Sequence, residues 1–176
     1  MDLFLKGDLT MLRKLFGKKE DAPSTVSIIA PLTGKVIPLE EVPDPVFSQK
    51  MMGDGVAITP SEGKVTSPVD GEIIQVFPTK HAIGIKAKNG AEILIHIGLD
   101  TVNMNGEGFT THIQEGKKVK TGDLLVTYDL ELVKEKARSI VTPIIITNSD
   151  QMTTTDKQEG SEVTSGDHVI MTVSKK

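Results

Sequence analysis

The chain has 176 residues, 38% of them hydrophobic and 25% charged, which suits a single globular domain with a core of its own. Aromatics make up 3% and cysteine is absent, so the core is built from Ile, Val and Leu, and disulfides, thiolate metal sites and cysteine nucleophiles are excluded. A net charge of −4, with no basic stripe carrying interleaved aromatics, argues against a nucleic-acid partner, and no apolar run approaches the ~20 residues that span a bilayer.

Residues 1–20 stand apart. Leu5, Leu9, Leu12 and Phe16 recur at helical spacing, with Leu15 beside them. Lys6, Arg13, Lys14, Lys18 and Lys19 outweigh Asp2, Asp8 and Glu20, so this stretch carries +2 and the other 156 residues −6. One reading is an interfacial helix in weak contact with an anionic membrane surface. The other is a tail that frays or docks on its own domain, and Gly7 and Gly17 weaken any helix. A secretory signal's unbroken apolar stretch and small-residue cleavage site are missing, so a cytoplasmic protein is expected. Residues 21–25 read as a linker. The division is therefore an amphipathic leader and linker over 1–25 and one domain over 26–176.

After Val26 the pattern changes to short apolar runs every eight to twelve residues, punctuated by Gly, Pro, Asn and Asp. That spacing predicts an all-β fold, an antiparallel sandwich or barrel. Only 129–139, "DLELVKEKARS", reads as a helix, with acidic residues early and basic residues late. Two internal repeats accompany the strands. "APLTGKVIPL" (30–39) resembles "SPVDGEIIQV" (67–76), and "EGKKVKTGDLLVTY" (115–128) resembles "EGSEVTSGDHVIMT" (159–172). They point to a duplicated β unit folded into one core. Lipoyl and biotinyl carrier domains share this punctuation, and Lys88 at a hairpin tip could mimic their modified lysine, but no Met-Lys-Met flank surrounds it.

The stretch "HAIGIKAKNGAEILIHIGLDTV" (81–102) holds His81 and His96 on either side of Asn89-Gly90. A two-residue turn there, with φ > 0 at both central positions, sets Ile83 opposite His96 and His81 opposite Gly98. Both imidazoles then share a face as diagonal neighbours. A three-residue turn over Lys88 to Gly90 moves the pairing by one and sends them to opposite faces. A close pair admits three readings. Both rings are half-buried and bonded to backbone. Or they bind zinc with a third ligand, for which Asp100 is nearest. Or one is a nucleophile that the other stabilises, which suits a side chain largely neutral at pH 7. His112 and His168 lie in turn-rich stretches and read as surface residues.

"GAEILIHIGLDTVNM" (90–104) resembles the phosphorylation-site signature of the glucose-type enzyme IIA proteins of the bacterial phosphotransferase sugar-uptake system. That signature specifies Gly, three apolar residues, His, apolar, Gly, apolar, Thr and two further apolar positions, and all are met from Gly90 to Met104. Residues 28–58, "PVDGEI" (68–73), "FPTKHA" (77–82), "GEGF" (106–109) and "EGKKVKTGD" (115–123) also look like family segments, so the similarity covers roughly 26–173. The resemblance implies an antiparallel β-sandwich of the duplicated hybrid type. It implies His96 as phosphoacceptor, His81 as stabiliser of the phosphoryl group and Thr79 as the residue that orients His81. It implies HPr as donor and a cysteine of a permease IIB domain as acceptor, with no cofactor required. Zinc at His81 and His96, adventitious or shared with a partner, is the remaining metal option. A zinc-dependent hydrolase using that pair is the alternative function.

A phosphohistidine needs a site that a partner can seal from water. Val46, Phe47, Met51, Met52, Phe77 and Leu94 are candidates for an apolar rim, with Asp100 set to orient a His or meet a basic partner residue. Methionine adapts to more than one partner. A monomer is expected. The leader and the lack of a permease segment suggest a free-standing IIA. Several permeases share this IIA type, so the sugar stays open.

Overall fold

The computed structural model describes residues 22–176, and the amphipathic leader over 1–20 lies outside them. The apolar runs become strands, fourteen of them among the described residues. In chain order they are β1 (Thr25–Ile29), β2 (Gly34–Pro38), α1 (Pro45–Ser48), β3 (Asp54–Pro60), β4 (Lys64–Thr66), β5 (Gly71–Val76), β6 (Ala82–Ala87), β7 (Glu92–His96), β8 (Phe109–Thr111), β9 (Lys118–Val119), β10 (Leu124–Tyr128), α2 (Leu130–Lys136), β11 (Thr142–Ile146), β12 (Met152–Thr155), β13 (Glu162–Val163) and β14 (Val169–Lys175). No helix among the described residues is long and apolar enough to cross a membrane.

An eight-stranded sheet runs β13-β2-β3-β11-β7-β6-β5-β9, and two three-stranded sheets run β1-β14-β12 and β4-β10-β8. The described strand pairings are all antiparallel. One face of the large sheet (Val36, Ile58, Ile85, Ile95, Ile144) packs on Ile28, Met171 and Val173 of one small sheet and on Val65 and Val126 of the other. This is a β-sandwich with an aliphatic core, as the composition requires.

The sequence repeats are repeats of structure. Gly34 pairs with Val163 and Lys35 with Glu162, and Gly71 pairs with Val119 and Glu72 with Lys118 in the same way. The Gly166 N–H donates to the Ala30 carbonyl, and Gly122 N–H to that of Ser67. The large sheet thus reads alike from its two ends, with β11 and β7 meeting at the centre.

The helices differ from the sequence expectation in two ways. The helix over 129–139 is shorter: Asp129 caps it through Leu132 N–H, and it stops at Lys136 because Arg138 and Ser139 exchange backbone bonds with Leu99. One turn of helix, α1, forms outside the single stretch that read as a helix, with Asp44 as cap and Pro45 in its first turn.

The β6–β7 hairpin takes the three-residue turn rather than the two-residue one. Ala82 faces His96, Ile83 faces Ile95, and Ala87 N–H donates to the Ala91 carbonyl. Gly90 has φ +92, but Asn89 does not take positive φ. Its amide is instead buried, donating to the carbonyls of Ser24 and Val173 and accepting from Ala91 N–H. Those three bonds hold Asn89 out of the conformation a two-residue type I′ turn demands.

Candidate functional site

Simple alternation in this register would separate the two histidines, yet their ring centroids lie 4.9 Å apart, nearly edge to face. The reason is that β6 begins at Ala82 and His81 lies outside it. Lys80, immediately before, has φ +65, and the tight turn from Phe77 to Ala82 closes through the Phe77 N–H to Ala82 carbonyl bond. The left-handed residue turns the His81 ring over the face that His96 occupies, while the His81 carbonyl still accepts from Ile97 N–H in the strand register.

That face carries a second, smaller apolar cluster. Leu39, Val42, Phe47, Ala57, Ala82, Leu94, Leu99 and Ile145 form it, with Phe77 packed at its edge. Phe47 of α1 lies 5.0 Å from the His96 ring, and Phe77 lies 5.6 Å from His81. Phe47 and Leu94 are buried and form the floor. Val46, Met52 and above all Met51, at 69% exposure, stand out in solvent. Val102, absent from the sequence-derived rim, is also exposed, on a short 3-10 turn (Thr101–Met104) that follows Asp100. It fills an apolar position of the motif, which was the available signal.

Each imidazole is oriented by one hydrogen bond. His96 Nδ1 is 2.8 Å from the Gly98 carbonyl, which can only accept, so Nδ1 carries the proton and Nε2 keeps its lone pair. His81 Nδ1 is 2.7 Å from the Thr79 hydroxyl. His81 is 3% exposed, and burial, with the His96 ring beside it, pushes its pKa down to about 4. Burial also lowers His96, opposed by the Gly98 carbonyl and by Asp44 and Asp100, whose charges favour the protonated ring. Both rings are therefore neutral at pH 7. Asp100 is exposed and acts on His96 by charge rather than by a hydrogen bond. Asp44, not singled out in the sequence, acts the same way, and the Asp44-Pro45 helix start was its only local signal. His112 and His168 are exposed, and His112 bonds Thr127 while His168 accepts from Thr164 N–H.

Two neutral imidazoles, one offering a bare Nε2 beside an exposed apolar rim, suit a group transiently carried on nitrogen. Among the described residues no group of three or more His, Cys, Asp or Glu is placed to hold a metal ion, so the zinc-hydrolase alternative lacks its third ligand. Fold and site together define a histidine phosphocarrier. The family model for the phosphoenolpyruvate-dependent sugar phosphotransferase system, EIIA 1, matches residues 26–152, and the chain belongs to that family, whose members are phosphotransferase components phosphorylated on histidine. It is 57% identical to a PTS system glucose-specific EIIA component of Halalkalibacterium halodurans, over 93% of this chain and 98% of that one. It is 58% identical to another from Bacillus cereus, over 94% of this chain and all of the relative. Among solved structures it is similar to glucose permease IIA from Mycoplasma capricolum. The TM-score is 0.80 and the identity 45%, covering 85% of this chain and 96% of that one.

Proposed function

We propose that His96 is the phosphoacceptor and that Nε2 is the atom that takes the phosphoryl group. The observation that carries this is the His96 Nδ1–H bond to the Gly98 carbonyl, which leaves the Nε2 lone pair free. The donor is the phosphohistidine of HPr, and the acceptor is a cysteine on the IIB domain of a sugar permease. In the first transfer a bond forms between Nε2 and phosphorus while the donor's N–P bond breaks and its electron pair returns to the HPr imidazole. In the second, the IIB sulfur attacks and the pair returns to Nε2. Neither transfer changes an oxidation state.

His81 stabilises the carried group. With the Thr79 hydroxyl donating to Nδ1, the His81 proton sits on Nε2 and donates to a phosphoryl oxygen, so Thr79 sets the tautomer. Positioning and charge stabilisation supply most of what phosphoryl transfer needs. No cofactor is required, and any zinc bound at the two histidines would be adventitious or shared with a partner.

Val46, Met51 and Met52 form the exposed contact surface, with Phe47, Phe77 and Leu94 beneath it, and a docked partner there excludes water. Asp44 and Asp100 meet basic residues of the partner. The protein works in the cytoplasm as a monomer, with its domain over 26–176. The names of the relatives favour permeases of the glucose family as the IIB source. The test is incubation with phosphoenolpyruvate, enzyme I and HPr. An acid-labile, alkali-stable label is expected on wild type and absent from His96→Ala. His81→Ala is expected to take label but pass it on slowly. Wild type that takes no label overturns the reading.

A further inference from the structure

Thr101 is a specified position of the motif that the transfer chemistry leaves without a part. It is fully buried, at 0% exposure. Its hydroxyl donates to the Ile97 carbonyl at 2.6 Å. Its methyl lies against Gly98, where an added Cβ would come within 2.7 Å of Thr101 Cγ2. The Ile97 carbonyl and the Gly98 N–H belong to one peptide unit. Thr101 grips that unit at its oxygen, and the Gly98 N–H makes a longer bond, 3.4 Å, to the Thr142 hydroxyl. The next carbonyl along the chain is the one that receives His96 Nδ1–H.

This grip matters because the segment has freedom to lose. Gly98 at φ +72 and Asp100 at φ +60 are both left-handed, and glycine crosses between backbone regions at little steric cost. The Gly98 carbonyl's own peptide is held by Leu99 N–H on the Ser139 carbonyl, so a turn of the Ile97–Gly98 peptide tilts that carbonyl about this anchor and lengthens its bond to the imidazole. The ring then loses the bond that keeps the proton on Nδ1, and an Nε2–H tautomer has no lone pair with which to attack.

We propose that Thr101 is a positioning residue for phosphoryl transfer. Its hydroxyl fixes the Ile97–Gly98 peptide and, through the Gly98 carbonyl, holds His96 with Nε2 bare and directed outward. The proposal rests on His96 being the acceptor, and labelling of His96→Ala tests that premise separately.

Three full-length variants decide it. Thr101→Ser keeps the hydroxyl without the methyl, Thr101→Ala removes both, and Thr101→Val keeps the shape without the hydroxyl. Circular dichroism identifies those that fold, and if the Val variant does not, the Ser and Ala pair still separates hydroxyl from methyl. The readouts are the His96 ring tautomer by ¹⁵N NMR and the split between kcat and KM with phosphorylated HPr. In the Ala and Val variants the Nε2–H form should appear, and kcat should fall roughly ten- to a hundredfold with KM within about twofold, because the docking surface is intact. Ser should match wild type in both. The proposal is overturned if Ala keeps the wild-type tautomer and kcat, if Ser is damaged as much as Ala, or if the loss appears in KM alone.

Discussion

The two halves of the large sheet share a framework and use it differently. Counting along the paired strands, Ala82 opposite His96 in one half corresponds to Gly55 opposite Ile145 in the other. One residue earlier, His81 corresponds to Asp54. The residue before each has positive φ, Lys80 at +65 and Gly53 at +135, so both halves turn the chain at the same place. What they hold there differs. Asp54 is clasped by Lys157 Nζ at 2.7 Å, by the Thr154 hydroxyl and by Lys50 at 3.5 Å. Burial would raise its pKa, but the bonds from Lys157 and Thr154 override that and hold it at about 2. His81 faces another imidazole and stays neutral. One half secures a charge, and the other holds an uncharged pair of imidazoles. The halves also cooperate, because the segment between β2 and β3 carries α1, and Phe47 of α1 covers His96.

Equivalent substitutions should therefore have opposite consequences. The largest contrast is at the proposed acceptor, His96. His96→Gln should lower phosphoryl labelling by more than about a thousandfold. Ile145→Val, its counterpart, should leave labelling within twofold and cost about 1 kcal/mol in urea unfolding. Loss of labelling in the Ile145 variant would break the assignment of chemistry to one half.

The next effect is on pH dependence. His81 has a folded pKa near 4 against about 6.5 unfolded, so below pH 6.5 the unfolded chain takes a proton that the folded one refuses. Its stabilising contribution is intact above pH 6.5 and is lost as pH falls towards 4. Between pH 7 and pH 5 wild type should lose on the order of 2 kcal/mol more stability than His81→Gln, read from urea midpoints at each pH. Parallel curves would show that burial does not hold the ring neutral.

Asp54 gives the smaller effect and a different window. Its folded pKa lies below the unfolded value of about 3.8, so its contribution is present above pH 4 and lost as pH falls towards 2. Asp54→Asn should cost about 1 kcal/mol at pH 7, after allowance for the partial solvent exposure of the clasp, and leave labelling unchanged. A variant as stable as wild type would make the clasp ornamental.

Much of this was legible in the chain itself. The repeats at 30–39 and 67–76, and at 115–128 and 159–172, encode equivalent strand pairs, because the same turn residues and apolar spacing select the same local geometry twice. The hairpin at 81–102 was legible in part. Asn-Gly signals a turn, but whether Asn89 supplies positive φ or a buried amide depends on Ser24 and Val173, which are remote in sequence. The meeting of His81 and His96 depends on a lysine in a left-handed conformation, for which Lys80 carries no local signal. There the family resemblance implied the pair, whereas the two-residue register that would also pair the rings is not the one the strands take. Asp44 was missed because its influence on His96 is through space.

The most direct test is to locate the phosphorus in the phosphorylated wild-type protein by ¹⁵N–³¹P coupling in NMR. The account predicts a single phosphohistidine at His96, bonded through Nε2, with Nδ1 still protonated. Phosphorus on His81, or on Nδ1 of His96, would contradict it.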